Sequence, residues 1–151
     1  MKIGFTLNGA DVSVDVEPEV MLLEVLRDHF GLRGARATCG LGVCGVCTVL
    51  VDGEAISSCI VLAPLAAGRS VTTIEALDDD DPLVRSFDRA HAFQCGFCIP
   101  GMVLTAKAFL AGTKHPSTGE IREAFGGNLC RCGCYRKIVA AVASAAEEDV
   151  R

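Results

Sequence analysis

The chain has 151 residues, half of them hydrophobic, which suits one ordinary domain or two very small ones and excludes a disordered polymer. A formal net charge of -5 and a pI near 5.1 argue against nucleic acid and anionic membrane surfaces as partners, because both call for clustered Lys and Arg. Nine cysteines remain to be explained, several times the share that an intracellular chain ordinarily carries.

From Lys2 to Val16 apolar residues alternate with polar ones: Ile3, Phe5 and Leu7, then Val12, Val14 and Val16, with Asn8-Gly9 between. Asn and Gly tolerate the positive φ of a tight turn, so the segment predicts a β-hairpin. The same opening lacks the charged region, apolar run and cleavage site of a secretory leader, and a cytoplasmic protein is expected. After Pro18 the spacing of Met21, Leu22, Val25, Leu26 and Phe30 becomes that of one helix face, which stops at Gly31. Short strands are predicted for Cys47–Val51, ended by Asp52-Gly53, for Ala55–Val61 and for Val71–Ile74. The longest apolar stretch, Cys59–Ala67, is far short of the roughly 20 residues that cross a bilayer, so no membrane insertion is expected.

The acidic run Asp78–Asp81, followed by Pro82, is the sharpest break in composition. It divides the chain into an expected unit at 1–77 and another at 78–151, and a solvated spacer needs no further task. Beyond it the period is helical. Leu83–Ala92 forms one segment, and Pro100 suits the first turn of a second that runs to Leu110. Ser117 with Glu120 has the spacing of a capping box for a short helix to Phe125, and Arg136–Ala146 makes a fourth. The halves differ in period and in cysteine spacing, which rules out an internal repeat.

In a reducing compartment so many thiols are more naturally metal ligands than a disulfide framework. Cys39, Cys44 and Cys47, in CGLGVCGVC, have the CxxxxCxxC spacing of plant-type 2Fe-2S ferredoxins, with Cys59 as the distant fourth ligand. Such a cluster carries net negative charge. Gly40, Gly42 and Gly45 let the loop aim backbone N–H groups at the sulfurs. Structural zinc usually sits between two short CxxC-like knuckles, whereas here three ligands crowd one loop.

Cys95 and Cys98, in QCGFC, are followed much later by Cys130, Cys132 and Cys134, in CRCGCY. A thioredoxin-like redox pair would follow a strand in a βαβ setting, and these surroundings are helical. Cys98 precedes the Pro100 helix and Cys130 to Cys134 precede the Arg136 helix, so both helix N-termini face one group. Their positive ends and free N–H groups favour thiolate and a bound anion, which points to a metal centre without naming the metal. Five cysteines compete for four places, and by spacing any two of Cys130, Cys132 and Cys134 could serve. His29, His91 and His115 lack the paired spacing beside cysteine of Rieske-type ligands.

The strings CGLGVCGVCTV, QCGFCIPGM and GNLCRC followed by Tyr135 resemble the small iron-sulfur subunit of the xanthine oxidase family of molybdenum hydroxylases. That family includes carbon monoxide dehydrogenases and aldehyde and aromatic-heterocycle oxidoreductases. The resemblance implies an α+β chain, with a β-grasp, plant-ferredoxin-like N-terminal domain followed by a C-terminal four-helix bundle. It assigns Cys39, Cys44, Cys47 and Cys59 to one 2Fe-2S cluster and Cys95, Cys98, Cys130 and Cys132 to another. It also implies a large partner subunit holding a molybdenum-pterin cofactor, with Gln94 and Cys132 beside the pterin, and usually a medium subunit holding FAD. Electrons then pass from the pterin through the helical-domain cluster and the ferredoxin-like cluster toward FAD.

Two departures stand out. CRCGCY replaces the commoner CRCTGY and introduces Cys134, read as a buried spectator, and Ala35–Thr38 replaces a lysine-containing segment. Two rival functions are a free-standing two-cluster carrier, which should be acidic around its clusters, and a zinc-stabilised interaction module. No nucleophile with a base and no paired carboxylates stand in a catalytic context, so no catalytic residue is assigned.

Overall fold

A computed structural model describes residues 1–148, and positions 149–151 of the expected second unit lie outside the described residues. Strand β1 (Lys2–Leu7) turns through Asn8-Gly9 into β2 (Ala10–Asp15) with Leu7 opposite Ala10. The φ values of 50° and 84° at Asn8 and Gly9 make the two-residue turn whose twist matches the paired strands. Strands β3 (Thr48–Val51) and β4 (Glu54–Ser57) form a second hairpin over Asp52-Gly53, and β5 (Ser70–Thr72) lies between the hairpins. The sheet order is β2-β1-β5-β3-β4, with β1 and β5 parallel and the other pairs antiparallel.

Helix α1 (Leu22–Glu24) continues as a π-helical turn over Val25–His29. The periodicity from Met21 to Phe30 is therefore helical, but its second half is wider than an α-helix. The wider turn carries Phe30 round to meet Phe5 edge to face, with ring centroids 5.9 Å apart. Leu22, Val25 and Leu26 are fully buried with Ile3, Phe5, Val49 and Val71 in the core of this half. Two predicted strands come out shorter. Ala55–Val61 leaves the sheet at Ser57 and becomes a 3-10 turn over Ser58–Ile60, because the Ser58 hydroxyl and N–H both bind the Cys47 carbonyl, at 2.7 and 3.4 Å. Val71–Ile74 is in the sheet only to Thr72, and Ile74–Ala76 forms another 3-10 turn.

Four helices follow: α2 (Pro82–Arg89), α3 (Ile99–Gly112), α4 (Thr118–Ala124) and α5 (Tyr135–Glu148). Asp81 caps α2 by accepting from the Leu83 N–H at 2.9 Å, and its other oxygen takes Lys107 at 2.7 Å. Ser117 and Glu120 form the full capping box at α4. Phe87, Met102, Val103, Ile121, Ile138 and Val142 fill the space between the helices. The Ser86 hydroxyl donates to the Ala141 carbonyl at 2.6 Å, closing α2 on α5.

The helical core does not stop at the second half. Cys44 and Val46, from the first cysteine loop, are buried in it. Gly101, in the first turn of α3, rests on the Gly45 carbonyl and the Val46 backbone, where no Cβ would fit. Gly101→Ala is expected to lower unfolding stability by about 1–3 kcal/mol through overpacking. Gly112→Ala, in open space at the other end of α3, should lie within about 0.5 kcal/mol of the parent in the same denaturant titration.

Candidate metal centres

The first cysteine loop is held from both sides. Arg36 N–H donates to the Val46 carbonyl at 3.1 Å, while Thr48 binds the Gly45 carbonyl through its hydroxyl at 2.7 Å and its N–H at 3.3 Å. Gly40, Gly42 and Gly45 all take left-handed φ, at 65°, 71° and 67°. At Gly45 the requirement is double, because a side chain would also strike the Gly127 carbonyl and Asn128. The loop's N–H groups thereby turn inward. Those of Leu41 (3.4 Å away), Cys44 and Val43, with the Cys44 thiol, hold the Cys39 thiol down to about 6.

Cys59 reaches the loop from the 3-10 turn after β4. Burial and the neighbouring Cys47 thiol push it up to about 11, against the pull of the Gly42 N–H. Cys44, Cys47 and Cys59 are buried and Cys39 is partly exposed.

In the second set, Cys98 is the N-cap of α3 and Cys134 directly precedes α5, so both helix N-termini meet the thiols as the sequence predicts. Burial and the Cys130 thiol push Cys98 up to about 12. The Phe97 N–H and the Cys132 thiol lower exposed Cys95. Burial acts most strongly on Cys130 and upward, but the Cys134 N–H (3.4 Å), the Cys98 and Cys134 thiols and the Cys132 N–H together bring it below the ordinary thiol value. Cys134 is buried, and burial and the charge of Cys130 raise it.

Among the described residues, no three or more His, Cys, Asp or Glu side chains converge as the ligands of a single ion. The thiols instead meet two at a time: Cys39 with Cys44, Cys47 with Cys59, Cys95 with Cys132, and Cys98 with Cys130, with Cys134 as a further neighbour of Cys130. Two irons bridged by sulfide need two thiolates each, and each set supplies two pairs. The donor chemistry therefore fits a 2Fe-2S cluster in each set. His29, His91 and His115 are exposed at the surface.

The two sets are joined directly, a feature that spacing did not disclose. The Leu129 N–H donates to the Cys44 carbonyl at 2.8 Å, next to Cys130 in sequence. Buried Asn128 donates to the Gly45 carbonyl at 3.2 Å and accepts from the Thr105 hydroxyl at 3.2 Å. The Tyr135 hydroxyl accepts from the Cys130 N–H at 2.8 Å and donates to the Asn128 carbonyl at 3.1 Å. The string GNLCRC with its tyrosine was visible in the sequence, but these partners were not. Gln94 is exposed and donates to the Cys132 carbonyl at 3.4 Å. It borders an open concavity of ≈ 630 Å³ with Gly133, Cys134, Arg136 and Lys137.

These environments order the reactivity of the metal-free, folded chain. Cys39 is thiolate above about pH 6 and partly exposed, whereas Cys98 stays neutral and buried until about pH 12. Iodoacetamide labelling mapped by mass spectrometry should mark Cys39 well before Cys98 at pH 7. The Cys39 rate should drop as pH falls through about 6, and equal labelling of both at pH 7 would refute this ordering.

Residues 5–80 match the family of 2Fe-2S iron-sulfur cluster binding domains, and residues 73–143 match a second family, described as a 2Fe-2S binding domain. The small FeS subunit of nicotinate dehydrogenase from Eubacterium barkeri is 43% identical over 96% of this chain and 94% of that protein. The alpha subunit of isoquinoline 1-oxidoreductase from Brevundimonas diminuta is 46% identical over 97% of this chain and 98% of its own length. The crystal structure of quinoline 2-oxidoreductase from Pseudomonas putida 86 superposes with a TM-score of 0.95 at 44% identity, covering 100% of this chain and 96% of that one. The chain belongs to the small iron-sulfur subunits of the xanthine oxidase family of molybdenum hydroxylases.

Proposed function

We propose that Cys39, Cys44, Cys47 and Cys59 hold one 2Fe-2S cluster and Cys95, Cys98, Cys130 and Cys132 the other, in a subunit that carries electrons away from a molybdenum-pterin site. The observation that carries this assignment is the meeting of Cys39 with Cys44, Cys47 with Cys59, Cys98 with Cys130 and Cys95 with Cys132, the last favouring Cys132 as the fourth ligand while Cys134 meets Cys130 alone. When bound, the clusters supply one-electron oxidation and reduction. The chain's own part is to keep thiolates deprotonated with backbone N–H groups and to fix the separation of the two loops. The Leu129 to Cys44 hydrogen bond gives a short covalent and hydrogen-bonded route between the sets. Cys134 is a buried neighbour that donates its N–H to the Cys130 sulfur and is left out of the ligand set. The division between the units is placed at residues 77 and 78, ahead of the Asp81 cap.

The surface around the first set favours a permanent subunit over a free-standing carrier. Leu41, Val43 and Ile60 are 73%, 60% and 56% exposed, an apolar collar where a carrier for many partners would place carboxylates. A large molybdenum-pterin subunit would meet the side that carries Gln94 and Cys132, where the Gln94 amide and the adjoining concavity are open. A medium FAD-binding subunit would cover the collar around Cys39. No helix among the described residues is long and apolar enough to cross a membrane, in keeping with a cytoplasmic complex.

Iron and acid-labile sulfide analysis should give about four of each per chain. Cys98→Ser should remove the second centre's spectrum and spare the first, and Cys134→Ser should keep both. Bleaching by Cys134→Ser would overturn the ligand assignment. Size exclusion of the native material should show this chain co-eluting with molybdenum and flavin, and a lone small species would favour the carrier instead.

A further inference from the structure

Arg36 stands in the segment where the chain departs from the usual lysine-containing pattern, three positions before Cys39, and it touches both cysteine loops. Its backbone N–H holds the Val46 carbonyl of the first loop at 3.1 Å. Its guanidinium lies 5.3 Å from the centroid of the Phe97 ring, in the second loop between Cys95 and Cys98. Phe97 in turn offers its N–H to the Cys95 sulfur. Anchorage is firm at the near end, because Arg27 donates to the Ala35 carbonyl at 2.8 Å.

The charge on Arg36 is answered only in part. Its Nε is buried and has no hydrogen-bond partner, and among the described residues no ion pair engages it. Glu75 lies near enough for that charge to lower its carboxyl, and its carboxylate, which also accepts from the Gly34 N–H at 2.7 Å, offsets part of the charge without forming an ion pair. A cation held over a ring face in a partly dry seam is screened less than one in water. Any negative charge that accumulates on the thiolate-bound centres is therefore attracted to it.

We propose that Arg36 is a positioning residue that biases the electron between the two centres, its charge favouring the second centre, whose loop supplies the Phe97 ring beneath the guanidinium. The inference rests on the two-cluster reading above. The step concerned moves one electron from one centre to the other, with no bond made or broken and no proton transferred. A unit charge closer to one centre than the other shifts that equilibrium by about tenfold, which is about 59 mV for one electron.

The test is an EPR-monitored redox titration of the intact, cluster-loaded complex, with iron and sulfide content measured on the same samples. Arg36→Met and Arg36→Gln should lower the second centre's midpoint potential relative to the first by the equivalent of about tenfold, at full iron content. Arg36→Lys, which keeps the charge, should stay within about twofold of the parent. An unchanged difference between the centres overturns the proposal, as does an equal shift of both centres or an Arg36→Lys effect as large as that of Arg36→Met. Loss of iron in both neutral variants marks a scaffold residue and overturns it too. A parent protein with fewer than about four irons per chain would instead refute the two-cluster reading itself.

Discussion

The Gly45 carbonyl oxygen is the point at which the two halves of this chain are locked together. It accepts from the Thr48 hydroxyl and N–H on its own side and from the Asn128 amide across the seam, and the bare α-carbon of Gly101 rests against it. Cys44 stands immediately before it in the chain, and Cys47 follows just beyond Val46. The position of the Cys44 and Cys47 thiols is thus set by a single peptide group, and that group is gripped by both units. Electron transfer between centres depends steeply on distance, so a seam of this kind fixes a rate as well as a shape. Glycine at 45 and at 101 is the condition for the approach, since a methyl at either place would hold the backbones apart.

Around that lock, the chemistry of each site follows from backbone direction more than from side chains. Cys39 and Cys95 are lowered chiefly by N–H groups of their own loops, and Cys130 is lowered despite its burial. Cys59 and Cys98, in drier surroundings, are raised. Each quartet thus combines thiols that ionise readily with thiols that do so only when a metal takes the proton's place. Such a mixture suits a centre that must bind tightly yet remain reachable at one edge.

Much of this was legible in the residues. Both hairpin turns were written in Asn8-Gly9 and Asp52-Gly53, the α4 cap in Ser117 and Glu120, and the gathering of Cys39, Cys44, Cys47 and Cys59 in the CxxxxCxxC spacing. The second set was not resolved by spacing, because Cys130, Cys132 and Cys134 are equivalent in a string and differ only in their folded neighbours: Cys132 meets Cys95, whereas Cys134 meets Cys130. The strand predicted from Ala55 ran too long for a similar reason: apolar residues continue to Val61, but the Ser58 hydroxyl binds the Cys47 carbonyl and bends the chain. The π-helical widening before Phe30 left no trace in a pattern that reads equally well as an α-helix. Contacts between distant residues, such as Arg36 with Phe97 or Leu129 with Cys44, have no signature in a single sequence.

The burial of Cys98 and Cys130, each less than a tenth exposed, is shared by Cys44, Cys47 and Cys59, so the inner thiols of both sets are closed off from solvent. Each set keeps one side within reach, at partly exposed Cys39 in the first and at exposed Cys95, with partly exposed Cys132, in the second. Any agent that arrives from outside, oxidant or alkylating reagent, therefore meets Cys39 and Cys95 first, and each set presents a single vulnerable edge.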